Sequence, residues 1–330
     1  MAELESTRFC IDMGTTRTRV WLVQKDKVLA RSAADFGARD MASRRDHKWL
    51  SERLCALLQE TITEVRTAFP APQSAAAAGM ITSAQGFVDV PHVSAPAGLE
   101  EIAAGMRRVT LPLWSGLPLW LVPGVRTGEH PVPKELVVTT DVMRGEETLC
   151  MGLATGELKG ERFSLLNLGS HWKWIFVDKG RVIGSQSTLS GELIHVVQNN
   201  TLLAASLPSG PPQAFDVEWL NLGMRHGMEV GEARTLFCIR LLELQGHGTP
   251  EDRLSYLYGA MLAREIETAK ELFSRRGGHV LLCGYPVLAA IWKDCLEAAL
   301  IPAIIIGEPQ KETAYLQGLR YLVNTTSITD

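Results

Sequence analysis

The sequence predicts an α/β protein of two lobes with a duplicated architecture, and three observations carry that prediction. The first is the stretch Phe9 to Leu22, FCIDMGTTRTRVWL, where an apolar run enters a tight polar turn and leaves in a second apolar run. Asp12 stands where the first strand ends. Gly14, Thr15 and Thr16 form a small-residue turn whose amides and hydroxyls could face a phosphate. The second observation is a copy. Ser164 to Val177, SLLNLGSHWKWIFV, overlays the first stretch without a gap at an offset of 155 residues. Asn167 falls on Asp12, Gly169 on Gly14, Ser170 on Thr15 and Lys173 on Thr18. The third is the alternation of strands with helices in both halves. One hairpin with Gly in its turn is ordinary. Two, half a chain apart, indicate internal duplication and a phosphate clamp between two lobes.

Length and composition bound the answer. The chain has 330 residues, enough for about two domains with real cores. It is 46% hydrophobic and 21% charged, as ordinary globular proteins are. A formal net charge of −4 gives no basic field to recruit nucleic acid. The amino terminus, MAELESTRFC, lacks the basic and apolar regions of a signal peptide, and no apolar run is long enough to span a bilayer. A cytoplasmic location is expected, with no membrane and no nucleic acid as partner. The six cysteines show no CxxC pair or zinc spacing and read as structural. Neither a P-loop nor a GxGxxG fingerprint is present.

Taken in order, Ser43 to Phe69 carries leucines at helical spacing and predicts one long amphipathic helix ended by Pro70 and Pro72. Ser74 to Ile81, SAAAAGMI, predicts a buried strand opening into a polar loop that holds Ser83, a favoured place for a ligand contact. The Pro- and Trp-rich stretch Leu111 to Gly124 holds a short strand at 119–122, and His92 and His130 mark loops. Leu136 to Thr139 predicts another short strand. Asp141 to Thr148, DVMRGEET, predicts a carboxylate-rich turn feeding an apolar helix; acidic residues there also suit a helix amino terminus. After the second hairpin, a helix starts at Ser190-Gly191-Glu192. The stretch 215–273 is mostly helical and is broken at Gly246 to Pro250. A strand at 279–283 ends in Gly284-Tyr285-Pro286 before a helix through Trp292. A strand at 301–306 and a helix at 312–323 close the chain, with Ala314 and Gly318 four apart for close helix packing. The domains are expected at 1–150 and 151–330, with the last helix packing back where the lobes meet.

These residues carry a resemblance. IDMGTTRTRVWLV resembles the first phosphate loop of the actin, Hsp70 and sugar-kinase superfamily, the second hairpin its second phosphate loop, and HVLLCGYPV its adenosine loop. More narrowly, the chain resembles the 2-keto-3-deoxygalactonate kinase (2-dehydro-3-deoxygalactonokinase) family. The segments are Gly79 to Ser83, VMRGEET at 142–148, GSHWKW at 169–174, LSGEL at 189–193 and TAYLQG at 313–318, in family order. The resemblance implies a two-lobed actin-like ATPase (ribonuclease H-like) fold with a central nucleotide cleft.

It also implies a reaction: phosphoryl transfer from ATP to the C6 hydroxyl of 2-dehydro-3-deoxy-D-galactonate, in galactonate catabolism. That chemistry needs positioning, a metal and a base. Asp12 would hold hydrated Mg²⁺, which keeps several waters and takes few protein carboxylates. Gly14, Thr15 and Thr16 would receive phosphates, with Gly169 and Ser170 closing from the other lobe. Gly284 and Tyr285 would flank adenosine, and Arg17 and Lys173 are phosphate or carboxylate partners. In the glycerol-kinase-like branch a Gly-Asp-Gln turn supplies the base. Gly145-Glu146-Glu147 occupies a comparable place, so Glu146 comes first, with Glu147 and Asp141 behind it. Arg144 would bind the substrate carboxylate bidentately, and Ser83 the sugar hydroxyls.

One departure stands out: many superfamily members carry Asp-x-Gly in the second phosphate loop, where this chain has Asn167-Leu-Gly169. Two alternatives remain: a kinase for another 2-keto-3-deoxy sugar acid, and a non-catalytic ATP switch that binds a macromolecule. The expected partner is a small sugar acid, and homo-oligomerisation stays open.

Overall fold

The computed structural model describes residues 7–111, 114 and 116–329, with the side chains of 327–329 left aside. The acidic residues 1–6, and Pro112, Leu113 and Ser115 of the Pro- and Trp-rich stretch, lie outside the described residues. Two compact units make up the chain. The first takes the residues up to Glu161, Val177–Ser185, and those from Pro309 onward; the second takes Arg162–Phe176 and Gln186–Glu308. The units are therefore not two contiguous halves cut at residue 150.

In the first unit, β1 (Thr7–Met13), β2 (Thr18–Gln24) and β3 (Lys27–Ala34) form an antiparallel meander. Two helices follow, α1 (Ala38–Arg44) and α2 (His47–Thr63), where one was expected. The break has a local cause. Arg45 takes a left-handed conformation that closes α1, and the Asp46 carboxylate accepts from the Trp49 amide to start α2. Then come β4 (Pro72–Gly79), β5 (Val93–Ser94), α3 (Leu99–Ala104), β6 (Arg107–Leu111), β7 (Leu117–Leu121), β8 (Val125–Thr127), β9 (Asp141–Met143) and α4 (Glu146–Thr155). The strand expected at Leu136 to Thr139 is a 3₁₀ turn over Lys134–Thr139. Pro133 sets its entry, and the Thr139 and Thr140 hydroxyls donate to carbonyls three residues back, which closes turns instead of a ladder.

The main sheet runs β3-β2-β1-β4-β7-β6, and a small sheet runs β5-β8-β9. Pairing of β4 with β1 and β7 is parallel, so β4 is buried on both faces, and Ala75 to Ala78 are fully buried. Ala75 and Ala77 join the cluster of Phe9, Ile11, Leu50, Leu54 and Leu58, which seats α2 on the sheet.

The second unit repeats the plan. It holds β10 (Phe163–Leu168), β11 (Trp172–Asp178), β12 (Arg181–Thr188), α5 (Ser190–Asn200), α6 (Val217–Val230), α7 (Glu232–Leu244), α8 (Pro250–Arg276), β13 (His279–Gly284), α9 (Pro286–Ala298) and β14 (Ala303–Ile305). Val177–Ser185, the end of β11, the turn and most of β12, is grouped with the first unit. Its sheet order, β12-β11-β10-β13-β14, matches β3-β2-β1-β4-β7 strand for strand, with the same parallel central pairs. The helical stretch 215–273 breaks at Gly231 as well as at 246–250, because Gly231 adopts a positive φ between α6 and α7.

α10 (Glu308–Thr329) returns to the first unit and packs on α4 through small residues. A Cβ added at Gly152 would run into the Ala314 carbonyl, and one at Gly318 into the Thr148 carbonyl. Both obstacles are backbone and cannot turn aside. Gly152→Ala should therefore force the two helices apart and cost about 2–3 kcal/mol or more, read as a lowered midpoint in chemical denaturation; an unchanged midpoint would refute the contact.

Candidate active site

In the first unit the carboxyl ends of β1 and β4 lie side by side, Asp12 opposite Ala78 and Met13 opposite Gly79. Ligands of open α/β sheets bind beyond such strand ends. Gly79 has φ +88, and a Cβ there would strike the Met13 carbonyl and come within 3.4 Å of Asp12 Oδ1. Gly145, with φ +107, stands on the other side: its Cβ would sit 3.2 Å from the Gly79 Cα. Two glycines thus let three chain segments meet, and they bring Asp12 to the amino terminus of α4, where Glu146 is the first residue.

The turn that follows Asp12 is tied down from below. The Gly14 amide donates to the Arg17 carbonyl at 2.8 Å. The Ala38 and Arg39 amides, at the start of α1, donate to the Gly14 and Thr15 carbonyls at 3.2 and 2.9 Å. Gly37 makes this seat possible, because a Cβ there would lie 2.5 Å from the Gly14 carbonyl. Thr16 and Arg17 are exposed, and Arg17 has only a loose 3.9 Å pairing with Asp35, so it can turn toward an anion.

The three carboxylates considered for the base occupy different settings. Glu147 is fully buried; both its oxygens accept from the Gly145 amide at 2.8 Å, and Oε1 also accepts from the Thr148 hydroxyl. It holds the turn. Asp141 starts β9, at the end of that strand away from Gly145. Glu146 is half-buried at the first position of α4, directly after Gly145. Arg144, expected to bind the substrate carboxylate, has its guanidinium engaged within the protein. Nη1 donates to the Thr82 carbonyl at 2.6 Å and to its hydroxyl; Nη2 donates to the Val90 carbonyl at 2.8 Å and faces Asp89 and His92. The buried loop carbonyls capture it, since they have no water to bond instead. It clamps the 80–92 loop, including Ser83, whose hydroxyl donates to the Met80 carbonyl at 2.8 Å.

The second unit repeats the loop seat. Gly169 and Ser170 are exposed in the β10–β11 turn, and the Glu192 amide donates to the Ser170 carbonyl at 2.7 Å. A Cβ at Gly191 would strike the Gly169 carbonyl and lie 2.8 Å from that of Ser170. Gly191 therefore does under this loop what Gly37 does under the first. Asn167, in the place of Asp12, accepts from the Cys283 thiol at 3.3 Å across the β10–β13 pair. Lys173 is 7% exposed, so it is not a solvated charge; strand alternation puts it on the face opposite Trp172 and Trp174, which pack on Trp292. Gly284 has φ +141, and a Cβ there would lie 2.6 Å from the Leu168 carbonyl, at the ends of the parallel pair β10–β13. Tyr285 opens α9, and its hydroxyl donates to the Pro212 carbonyl at 3.0 Å. The 208–212 loop is held in turn by Gln198 of α5, whose amide donates to the Pro208 and Gly210 carbonyls.

Among the described residues no cluster of three His, Cys, Asp or Glu side chains forms a metal cage. A Mg²⁺ held by one carboxylate, waters and phosphates requires none, and the oxygen of Asp12 at a glycine-lined strand end fits that mode.

With the geometry in hand, comparison with known proteins decides the family. A sequence model of the family described as 2-keto-3-deoxy-galactonokinase matches residues 12–322. The chain belongs to that family. It is a kinase. A 2-dehydro-3-deoxygalactonokinase of Escherichia coli (strain K12) is 24% identical over 321 residues, covering 96% of this chain and 97% of that protein. A probable 2-dehydro-3-deoxygalactonokinase of Rhizobium meliloti (strain 1021) is 27% identical over 294 residues, 87% of this chain and 88% of that protein. The crystal structure of a Sinorhizobium meliloti protein provisionally given the same activity superposes with a TM-score of 0.76 at 23% identity, over 96% of each chain. That likeness shows the fold, as does a TM-score of 0.51 to the Acidaminococcus fermentans (R)-2-hydroxyglutaryl-CoA dehydratase component A at 12% identity, over 98% of this chain and 99% of that one. The fold is that of actin-like ATPases and sugar kinases. No described helix is long and apolar enough to cross a membrane.

Sequence reasoning missed Glu265. This α8 carboxylate, 8% exposed, accepts from the Thr188 hydroxyl at 2.7 Å and from the Ser190 hydroxyl, at the very start of the family's α5. Nothing in the local pattern of α8 separates it from a surface glutamate. Burial raises its carboxyl above the usual range, the two hydroxyls oppose the rise, and the charge of Glu232 adds to it. A raised folded-state value means that its contribution to stability is full below the ordinary value near 4.5 and is lost as pH rises through the folded value. Glu265→Gln does not titrate. Melting curves from pH 4 upward should fall with pH more steeply in wild type than in Glu265→Gln, and parallel curves would refute the assignment.

Proposed function

We propose that this chain transfers the γ-phosphoryl group of ATP to the C6 hydroxyl of 2-dehydro-3-deoxy-D-galactonate, giving 2-dehydro-3-deoxy-6-phosphogalactonate in galactonate catabolism. The observation that supports it is the first-unit corner, where Gly79 and Gly145 let the strand end that carries Asp12 approach the head of α4, which begins with Glu146. The names of the relatives supply the acceptor. In this reading Asp12 holds hydrated Mg²⁺, which when bound neutralises charge on the phosphates. Amides and hydroxyls of Thr15 and Thr16 cradle phosphate oxygens, Gly14, its amide held by the Arg17 carbonyl, lets the phosphate approach the turn closely, and Arg17 swings in from solvent. In the second unit Gly169 and Ser170 are the corresponding phosphate contacts, and Gly284 and Tyr285 border the adenosine. Tyr285 does so with its hydroxyl already fixed to Pro212, so it contributes its ring.

Glu146 is the base. It takes the proton of the C6 hydroxyl as that oxygen forms a bond to the γ-phosphorus and the bond from phosphorus to the β,γ-bridging oxygen breaks, releasing ADP. Glu147 maintains the turn that aims Glu146, and Asp141 takes no part. Arg144 shapes the acceptor loop from behind, leaving Ser83 as the loop's contact for sugar hydroxyls.

The test is ADP release with Mg-ATP and a panel of 2-keto-3-deoxy sugar acids. Glu146→Gln should lower kcat by about 10²–10⁴-fold with a wild-type melting curve. Glu147→Gln should lower the melting temperature. Strong turnover on a different sugar acid would reassign the acceptor, and an undiminished kcat in Glu146→Gln would remove it as the base.

A further inference from the structure

The reading above gives no role to α10, yet one short stretch of it touches both carriers of the reacting groups. The Tyr315 hydroxyl donates to the Ile11 carbonyl at 2.9 Å. That carbonyl belongs to the peptide that joins Ile11 to Asp12, so the bond fixes the backbone from which the Asp12 side chain springs. The Tyr315 ring packs on Trp21 of β2, centroids 5.7 Å apart, on the strand beside β1. On either side of Tyr315 in the same helix, Ala314 and Gly318 lie against the backbone of Gly152 and Thr148 in α4. α4 begins with Glu146.

A helix is rigid over one turn, and its residues three and four apart share a face. The turn Ala314 to Gly318 therefore sets β1 and α4 at a fixed distance from each other. Burial pushes the Tyr315 hydroxyl well above its ordinary range, and the charges of Asp12, Cys10 and Glu147 add to the rise. It stays protonated as the donor to the Ile11 carbonyl.

We propose that Tyr315 is a positioning residue for phosphoryl transfer, holding Asp12 on β1 in register with Glu146 at the head of α4 through its bond to the Ile11 carbonyl. The proposal rests on the kinase reading for its catalytic consequence, but its structural half is separate. Misplacement of a reacting group by about 1 Å can cost on the order of 10²-fold in rate without affecting ground-state affinity.

Tyr315→Phe keeps the ring against Trp21 and deletes only the hydroxyl. Two measurements decide. In steady-state assays kcat should fall about tenfold or more, with the KM for ATP and for the sugar acid each within about twofold of wild type. In amide hydrogen exchange, Asp12 and Gly14 should exchange faster in the variant while the β2–β3 amides keep their rates. A purely structural hydroxyl would lower the melting temperature and leave kcat alone, and that result overturns the proposal. If wild type turns over no sugar acid, the kinase reading fails by itself, and the exchange data still decide whether Tyr315 holds Asp12; unchanged exchange would overturn it. Tyr315→Leu should show the same loss of kcat with a larger drop in melting temperature, separating ring from hydroxyl.

Discussion

Parallel pairing of β1 with β4 sets the geometry of the first unit. A parallel ladder puts both carboxyl ends at one edge of the sheet, so Asp12 and Gly79 emerge together. Such a pair can lie in mid-sheet only if both faces are covered, and the run Ala75 to Ala78 is short enough in side chain to let α2 approach from one face. The absence of a Cβ at Gly79 and Gly145 then lets the head of α4 close to the strand ends. Remove that approach and the head of α4, which begins with Glu146, no longer reaches the end of β4.

The duplicated half shows which parts of this plan carry over and which do not. Strand order, parallel central pairs and a glycine wedged beneath the turn recur: Gly37 under Gly14 and Thr15, Gly191 under Gly169 and Ser170. In both cases amides at the amino terminus of a helix donate to the turn's carbonyls and hold the turn from below. What does not recur is the carboxylate. Asn167 accepts a hydrogen bond from the Cys283 thiol and adds no charge where Asp12 carries one. Each copy of the hairpin has kept the half of the chemistry its position demands.

Buried polar groups mark where tertiary structure is under obligation. Glu147 and Glu265 are buried and Arg144 is half-buried, and each is bonded to backbone or hydroxyl groups. Each ties down a turn or loop: Glu147 the Gly145 turn, Glu265 the 188–190 junction and Arg144 the 80–92 loop.

The sequence by itself determined the α/β class, the duplication, the two glycine-containing turns between paired strands and the small-residue face of the last helix. Each is a local or periodic signal: Gly and Thr at a strand end, alternation at period two, Ala314 and Gly318 four apart. Tertiary structure alone decided the rest. That α10 belongs with the first unit, that Arg144 folds inward, that Glu147 is a strut while Glu146 faces the corner, and that Tyr315 reaches the Asp12 peptide all depend on contacts between residues far apart in the chain. Adjacent glutamates in one helical turn look alike in a string of letters. They differ only once β4 and α10 have fixed which direction is inside.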